Sequence, residues 1–169
     1  MPTNLYMFFV AGIIPMIIGA IYYSPMVVGK SWMNVNGFHE KDLEGGNMIA
    51  IFGGAYILSV IASFALSGIV IHQPSVFQLG VPEVLTEGSP EHSQMVEYMK
   101  MFGDKHRNFG HGALHGGIIS FFLILPIIGI ISLFERRGFK YVIIHFVYWL
   151  ITLSIVGGLL CATLEYPAL

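Results

Sequence analysis

The chain has 169 residues, 55% of them hydrophobic and 11% charged, with a formal net charge of -2. A soluble domain carries about 25% charged residues, so this composition excludes an ordinary water-soluble globule and describes an integral membrane protein. A weakly negative chain has no basic field to neutralise phosphates, which excludes a nucleic-acid partner.

Four apolar segments follow in chain order, at residues 5–23, 48–72, 112–134 and 141–164, and none contains Asp, Glu, Lys or Arg. Each is close to the roughly 20 residues that carry a helix across a bilayer. Inside lipid a segment must satisfy its own backbone hydrogen bonds, so each is expected to be helical. The expected fold is therefore an all-α membrane protein, a four-transmembrane-helix bundle forming one domain over residues 1–169. No basic residue precedes the first segment, as a signal peptide would require, so it reads as a retained span. Asn47 is placed to cap the second helix, and Pro15 and Pro126 bend spans that tolerate them.

The second loop, 73–111, divides in two. Pro74, Pro82, Gly88 and Pro90 predict an irregular first half. Met95, Met99 and Phe102 recur at helical spacing and predict a short amphipathic surface helix within 91–102. Lys30, Lys41, Arg136, Arg137 and Lys140 lie in the first and third loops, against Lys100, Lys105 and Arg107 in the second. This bias assigns the first and third loops to the cytoplasm, and both termini and loop 73–111 to the periplasmic side. Arg136, Arg137 and Lys140 would then face anionic lipid headgroups.

Small residues four apart mark packing seams: Ala55, Ser59, Ser63 and Ser67; Gly112, Gly116 and Ser120; Ser154, Gly158 and Ala162. Such seams expect a compact bundle that meets other membrane subunits or a second copy of itself.

The stretch DKHRNFGHGALHGG, residues 104–117, carries the sharpest chemical question. His111 and His115 share a helix face, and two imidazoles at that spacing can grip one ion. His72, His92 and His106 belong to the same membrane side, so zinc, copper or haem binding is conceivable there. Met95, Met99 and Met101 would add thioether ligands for Cu(I). Against this, interfacial histidines commonly bond across helices, and the pair lacks the glutamate of His-Glu-x-x-His. His145 lies about one turn inside the fourth span, with Tyr148 and Thr152 on its face, and an ionisable group there is a functional candidate. The single cysteine, Cys161, offers neither a disulfide nor a thiolate metal site. No nucleophile elbow, complete phosphate loop or paired carboxylates occur, so no enzyme activity is expected.

Tyr23-Ser24-Pro25, then Gly29-Lys30 and Trp32, resemble the signature of a bacterial family of small four-span membrane proteins of unknown function. The usual pattern there is Trp-Tyr-Ser-Pro, and Tyr22 departs from it. HGALHG at 111–116, FERRGFKY at 134–141, and His145 with Tyr148 and Trp149 extend the likeness over nearly the whole chain. The resemblance implies a bacterial inner-membrane location and brings no activity, cofactor or catalytic residue. Physically, Pro25 would stop the first helix, Gly29 permit a sharp turn, Lys30 reach phosphates and Trp32 sit at headgroup depth. The leading expectation is a non-catalytic accessory subunit or homo-oligomer. The alternative is a histidine-based metal- or haem-binding redox or sensing module using His72, His111 and His115. A small carrier of neutral solutes, along the Ser59–Ser63–Ser67 face, is the third.

Overall fold

The computed structural model describes residues 2–166, and every regular element among them is helical. The helices are α1 Tyr6–Tyr22, α2 Gly29–Asn36, α3 Met48–Val70, α4 Gln73–Leu79, α5 Pro90–Phe102, α6 Phe109–Ile119, α7 Leu125–Phe134 and α8 Phe139–Thr163. A π-helical turn, Ser120–Ile124, joins α6 to α7, making Phe109–Phe134 one continuous rod of 26 residues. Pro126 explains the turn. It has no N–H to give to the carbonyl four residues back, and one wider turn absorbs that lost bond.

Three helices are long and apolar enough to cross a membrane: Met48–Val70, Phe109–Phe134 and Phe139–Thr163. The fourth expected span is the shorter apolar helix α1, of 17 residues. Its flanks are tied to both ends of α8. Asn4 donates from its side chain to Thr163 O at 2.8 Å, and Tyr22 Oη donates to Ile144 O at 3.0 Å. Between Ile144 and Thr163, α8 rises about 29 Å at 1.5 Å per residue. Residues 4–22 therefore run beside nearly that whole length.

α6 and α8 make the most intimate contact. A Cβ on Gly112 would strike Gly157 O, and one on Gly116 would strike Leu153 O. A Cβ on Gly157 would stand 2.6 Å from Gly112 O, and one on Gly158 would stand 2.6 Å from the Phe109 ring. The seam expected on α6 is real. On α8 the closest approach falls at Leu153, Gly157 and Cys161, one position from the anticipated Ser154, Gly158 and Ala162. Of that expected stripe, Gly158 is buried against Phe109 while Ala162 is exposed. On α3, Ser59, Ser63 and Ser67 are buried and Ala55 is exposed. Ser63 Oγ donates to Val60 O at 2.8 Å and reaches Phe8 O on α1 at 3.2 Å, while Ser67 Oγ donates to Phe64 O at 2.7 Å.

Two boundaries differ from expectation. The third span starts three residues earlier than residue 112, because the Asn108 side chain accepts from His111 N at 2.9 Å and caps the helix at Phe109. The first half of the second loop, expected to be irregular, contains the short helix α4, while the expected surface helix α5 occupies the second half. Ser89 caps α5, accepting from His92 N at 3.0 Å, with Pro90 in its first turn.

Candidate metal centre

Three histidines, two on α6 and one just beyond α3, meet at one end of the bundle. His72 follows α3 by two residues, and its position is fixed by Val70 and Ile71, which are 0% and 1% exposed. His111 and His115 occupy the first two turns of α6. Gly112 and Gly116 press against α8, and the residue just before each is turned about 100° away around the helix. That rotation carries both imidazoles off the seam and toward the end of α3.

His72 Nε2 lies 3.2 Å from His115 Nε2, and one ligand nitrogen from each of the three rings falls within 4.8 Å of the others. Two nitrogens on one tetrahedral ion, with bonds of about 2.05 Å, stand about 3.3 Å apart. The hydrogen-bonded His72–His115 pair already has that separation, and the third nitrogen lies within 4.8 Å of both. The rings meet steeply, at 88° for His72–His111, 77° for His72–His115 and 63° for His111–His115. Among the described residues, His111 Nε2 is buried with no hydrogen-bond partner. Leaving such a group unsatisfied costs about 1–3 kcal/mol, and ligation would use it.

Helix ends act on a cation here in opposite senses. The positive end of α6 disfavours it and the negative end of α3 favours it, each by roughly 0.3–1 kcal/mol. These effects nearly cancel, so the ligand bonds decide. An all-imidazole set suits zinc, copper, iron or nickel.

The other expected donors are elsewhere. His106 has φ +62° and stacks its ring on His111, with centroids 5.1 Å apart and planes 19° from parallel. His92 bonds through Nδ1 to Val84 O at 2.8 Å and holds the loop together. Met95 is buried, Met101 is exposed and Met99 lines a separate open cavity of about 970 Å³. Beside His106, Arg107 donates from Nε to Cys161 O at 2.9 Å and from Nη2 to Leu164 O, covering carbonyls at the end of α8. Its guanidinium lies 5.5 Å from the centre of the Tyr166 ring. Burial raises the Tyr166 phenol above its ordinary pKa, and the Arg107 charge offsets part of that rise. Sequence reasoning missed this role for Arg107, whose only signal was a cation beside the histidine-rich stretch.

The family described as Protein of unknown function (DUF1761) matches residues 6–161, from the start of α1 to Cys161 on α8. The chain belongs to this family. No curated protein and no solved structure matches it.

The remaining motif residues of this DUF1761 chain gather at the opposite end of the bundle. Tyr23 and His145 are joined by a 3.0 Å hydrogen bond between the phenol oxygen and Nδ1. Trp32 packs 5.7 Å from Tyr23, and Tyr148 packs 5.1 Å from it while donating to Pro15 O at 2.9 Å. Ser24 O accepts from Gly29 N at 2.9 Å, ending the turn that follows Pro25. Gly29 is required for close approach, since a Cβ there would lie 2.5 Å from Tyr23 O. Lys30, Arg136 and Lys140 are exposed. Arg137 turns inward: Nη1 donates to Val35 O at 3.2 Å, and the guanidinium sits 5.2 Å above Tyr141. Among the described residues, His145 Nε2 and the Thr152 hydroxyl are buried without hydrogen-bond partners.

Proposed function

We propose that this DUF1761 protein is a multi-pass membrane protein that binds one transition-metal ion through His72, His111 and His115. One observation carries the reading: three imidazoles, two on α6 and one just past the end of α3, bring a ligand nitrogen each within 4.8 Å. A hydrogen bond between His72 Nε2 and His115 Nε2 accounts for one of these approaches, while His111 Nε2 is buried and has no such partner among the described residues. Haem suits the arrangement less well, because axial ligands stand on opposite faces of a macrocycle, whereas His72 and His115 approach each other to 3.2 Å. α1 serves as a fourth span, since residues 4–22 accompany about 29 Å of α8, close to the roughly 30 Å hydrocarbon core. With the cation-rich first and third loops in the cytoplasm of a bacterial inner membrane, the histidines face the periplasm.

The test is metal content. Purified protein equilibrated with Zn²⁺ and passed through a chelating column should retain one ion per chain by elemental analysis. A variant carrying His111→Ala and His115→Ala should retain none. Equal retention by both proteins would refute the reading.

A second reading keeps the protein as an accessory subunit or homo-oligomer. It is favoured by the outer face of α3, where a Cβ on Gly53, Gly54 or Gly68 would meet nothing within 4 Å. Such a face lets another helix approach closely. Native mass spectrometry after gentle extraction tests it, and a bare monomer would refute it.

A further inference from the structure

We propose that the three-histidine centre leaves its metal one exchangeable coordination position, which takes water or a small anion. This rests on the metal reading above.

Among the described residues, the group of convergent donors stops at three. A tetrahedral ion needs a fourth ligand, and His106 is the neighbouring ring. Its plane lies within 19° of the His111 plane, with centroids 5.1 Å apart. No nitrogen of His106 joins the group of ligand atoms that His72, His111 and His115 bring together. The three ligand rings, at 63° to 88° to one another, do converge.

His106 is also held where it is. Its carbonyl accepts from Asn108 N at 3.0 Å and from Cys161 Sγ at 3.5 Å. The next residue, Arg107, is fastened to Cys161 O and Leu164 O. Drawing His106 into ligation by moving its backbone would break these contacts. Cys161 is 0% exposed, and its thiol is engaged by the His106 carbonyl.

The centre is open to an outside ligand, because His72 is exposed. Three protein ligands plus one exchangeable position is the pattern of zinc sites that bind and polarise a small molecule, while closed structural sites use four. His106 forms a wall beside the position and is not a ligand.

Cobalt makes the test visible, since its d–d absorption reports coordination. The full chain in detergent is titrated with Co²⁺, and azide is then added as the small anion. One Co²⁺ per chain and a saturable spectral shift with azide are expected. His106→Asn, which tolerates a left-handed backbone, should keep that stoichiometry and the azide shift, with affinity within about tenfold. His115→Ala should lose both. A bound cobalt whose spectrum ignores azide would overturn the inference and leave the metal reading intact. So would a loss above about a hundredfold in His106→Asn, beyond what an outer-shell change causes. Failure of the unaltered chain to bind Co²⁺ or Zn²⁺ at all would overturn the metal reading and this inference with it.

Discussion

Gly157→Ala tests whether the α6–α8 contact sets the bundle. The new Cβ would stand 2.6 Å from Gly112 O and 3.2 Å from Val70 Cγ1, while ordinary contact begins at 3.4 Å. The obstacle is backbone, which cannot swing aside, so the helices must part by about 0.8 Å, the difference between 3.4 and 2.6 Å. A gap of 0.5–1 Å forfeits roughly a quarter to a half of each dispersion contact it opens. Overpacking of this kind costs typically about 1–3 kcal/mol, and an immovable obstacle argues for the upper half, about 2–3 kcal/mol. For a chain of this length, that corresponds to a fall in Tm of roughly 4–12 °C. The control is Gly53→Ala, where a Cβ meets nothing within 4 Å. There alanine should leave stability unchanged or raise it by up to about 1 kcal/mol through helix propensity. Thermal unfolding in one detergent, followed by circular dichroism, compares the pair. An unaltered Tm in Gly157→Ala, or an equal fall in Gly53→Ala, would refute the reasoning.

Metal binding stabilises the native state by mass action, by about 2.7 kcal/mol when free metal is a hundred times Kd. Zn²⁺ at that level should raise Tm by roughly 5–11 °C in the unaltered chain and in His92→Ala, but not in His115→Ala; differential scanning fluorimetry reads the difference. Tyr23→Phe removes the bond to His145 Nδ1 and should cost about 1–3 kcal/mol. A double-mutant cycle with His145→Ala should return a coupling of at least about 0.5 kcal/mol, and none would refute the contact. Arg107→Ala exposes two α8 carbonyls, each losing a charged hydrogen bond of about 1.5–3 kcal/mol. Hydrogen exchange over residues 161–165 should quicken while α3 stays protected, and unchanged exchange there would refute the capping role.

Much of the bundle is legible because a span announces itself by unbroken apolarity. Residues 48–70 and 139–163 carry no charge except Lys140 at an end, and both form helices. The small residues on α6 pointed to a seam for the same reason: Gly112 and Gly116 have no other use at helical spacing in lipid. The facing register on α8 was not legible. Ser154 and Gly158 form as good a small-residue stripe as any, and only the three-dimensional crossing selects Leu153 and Gly157. The histidines split likewise. The face shared by His111 and His115 follows from helical geometry, and His72 from belonging to the same end of the bundle. That His106 stacks on His111 depends on a left-handed residue and on the clamp of neighbouring Arg107 onto a carbonyl of α8. Neither leaves a pattern in local sequence. Arg137 shows the same limit. Its basic loop suggested lipid, yet a carbonyl 102 residues away accepts its hydrogen bond.

The two ends of the described chain are sewn together. Thr3 N donates to Glu165 O at 2.8 Å, and Glu165 N donates to the Asn4 side chain at 2.9 Å. In connectivity the bundle is thus nearly a closed ring, and a short peptide joining the ends could replace the break between them. A circular permutant reopened in the exposed stretch 39–46 should keep the same packing, because few contacts hold that stretch. The seam also has a practical bearing. Residues 4 and 163 lie on the side of the molecule where His72, His111 and His115 converge, so the proposed metal binding is best tested on protein purified by a tag without histidine.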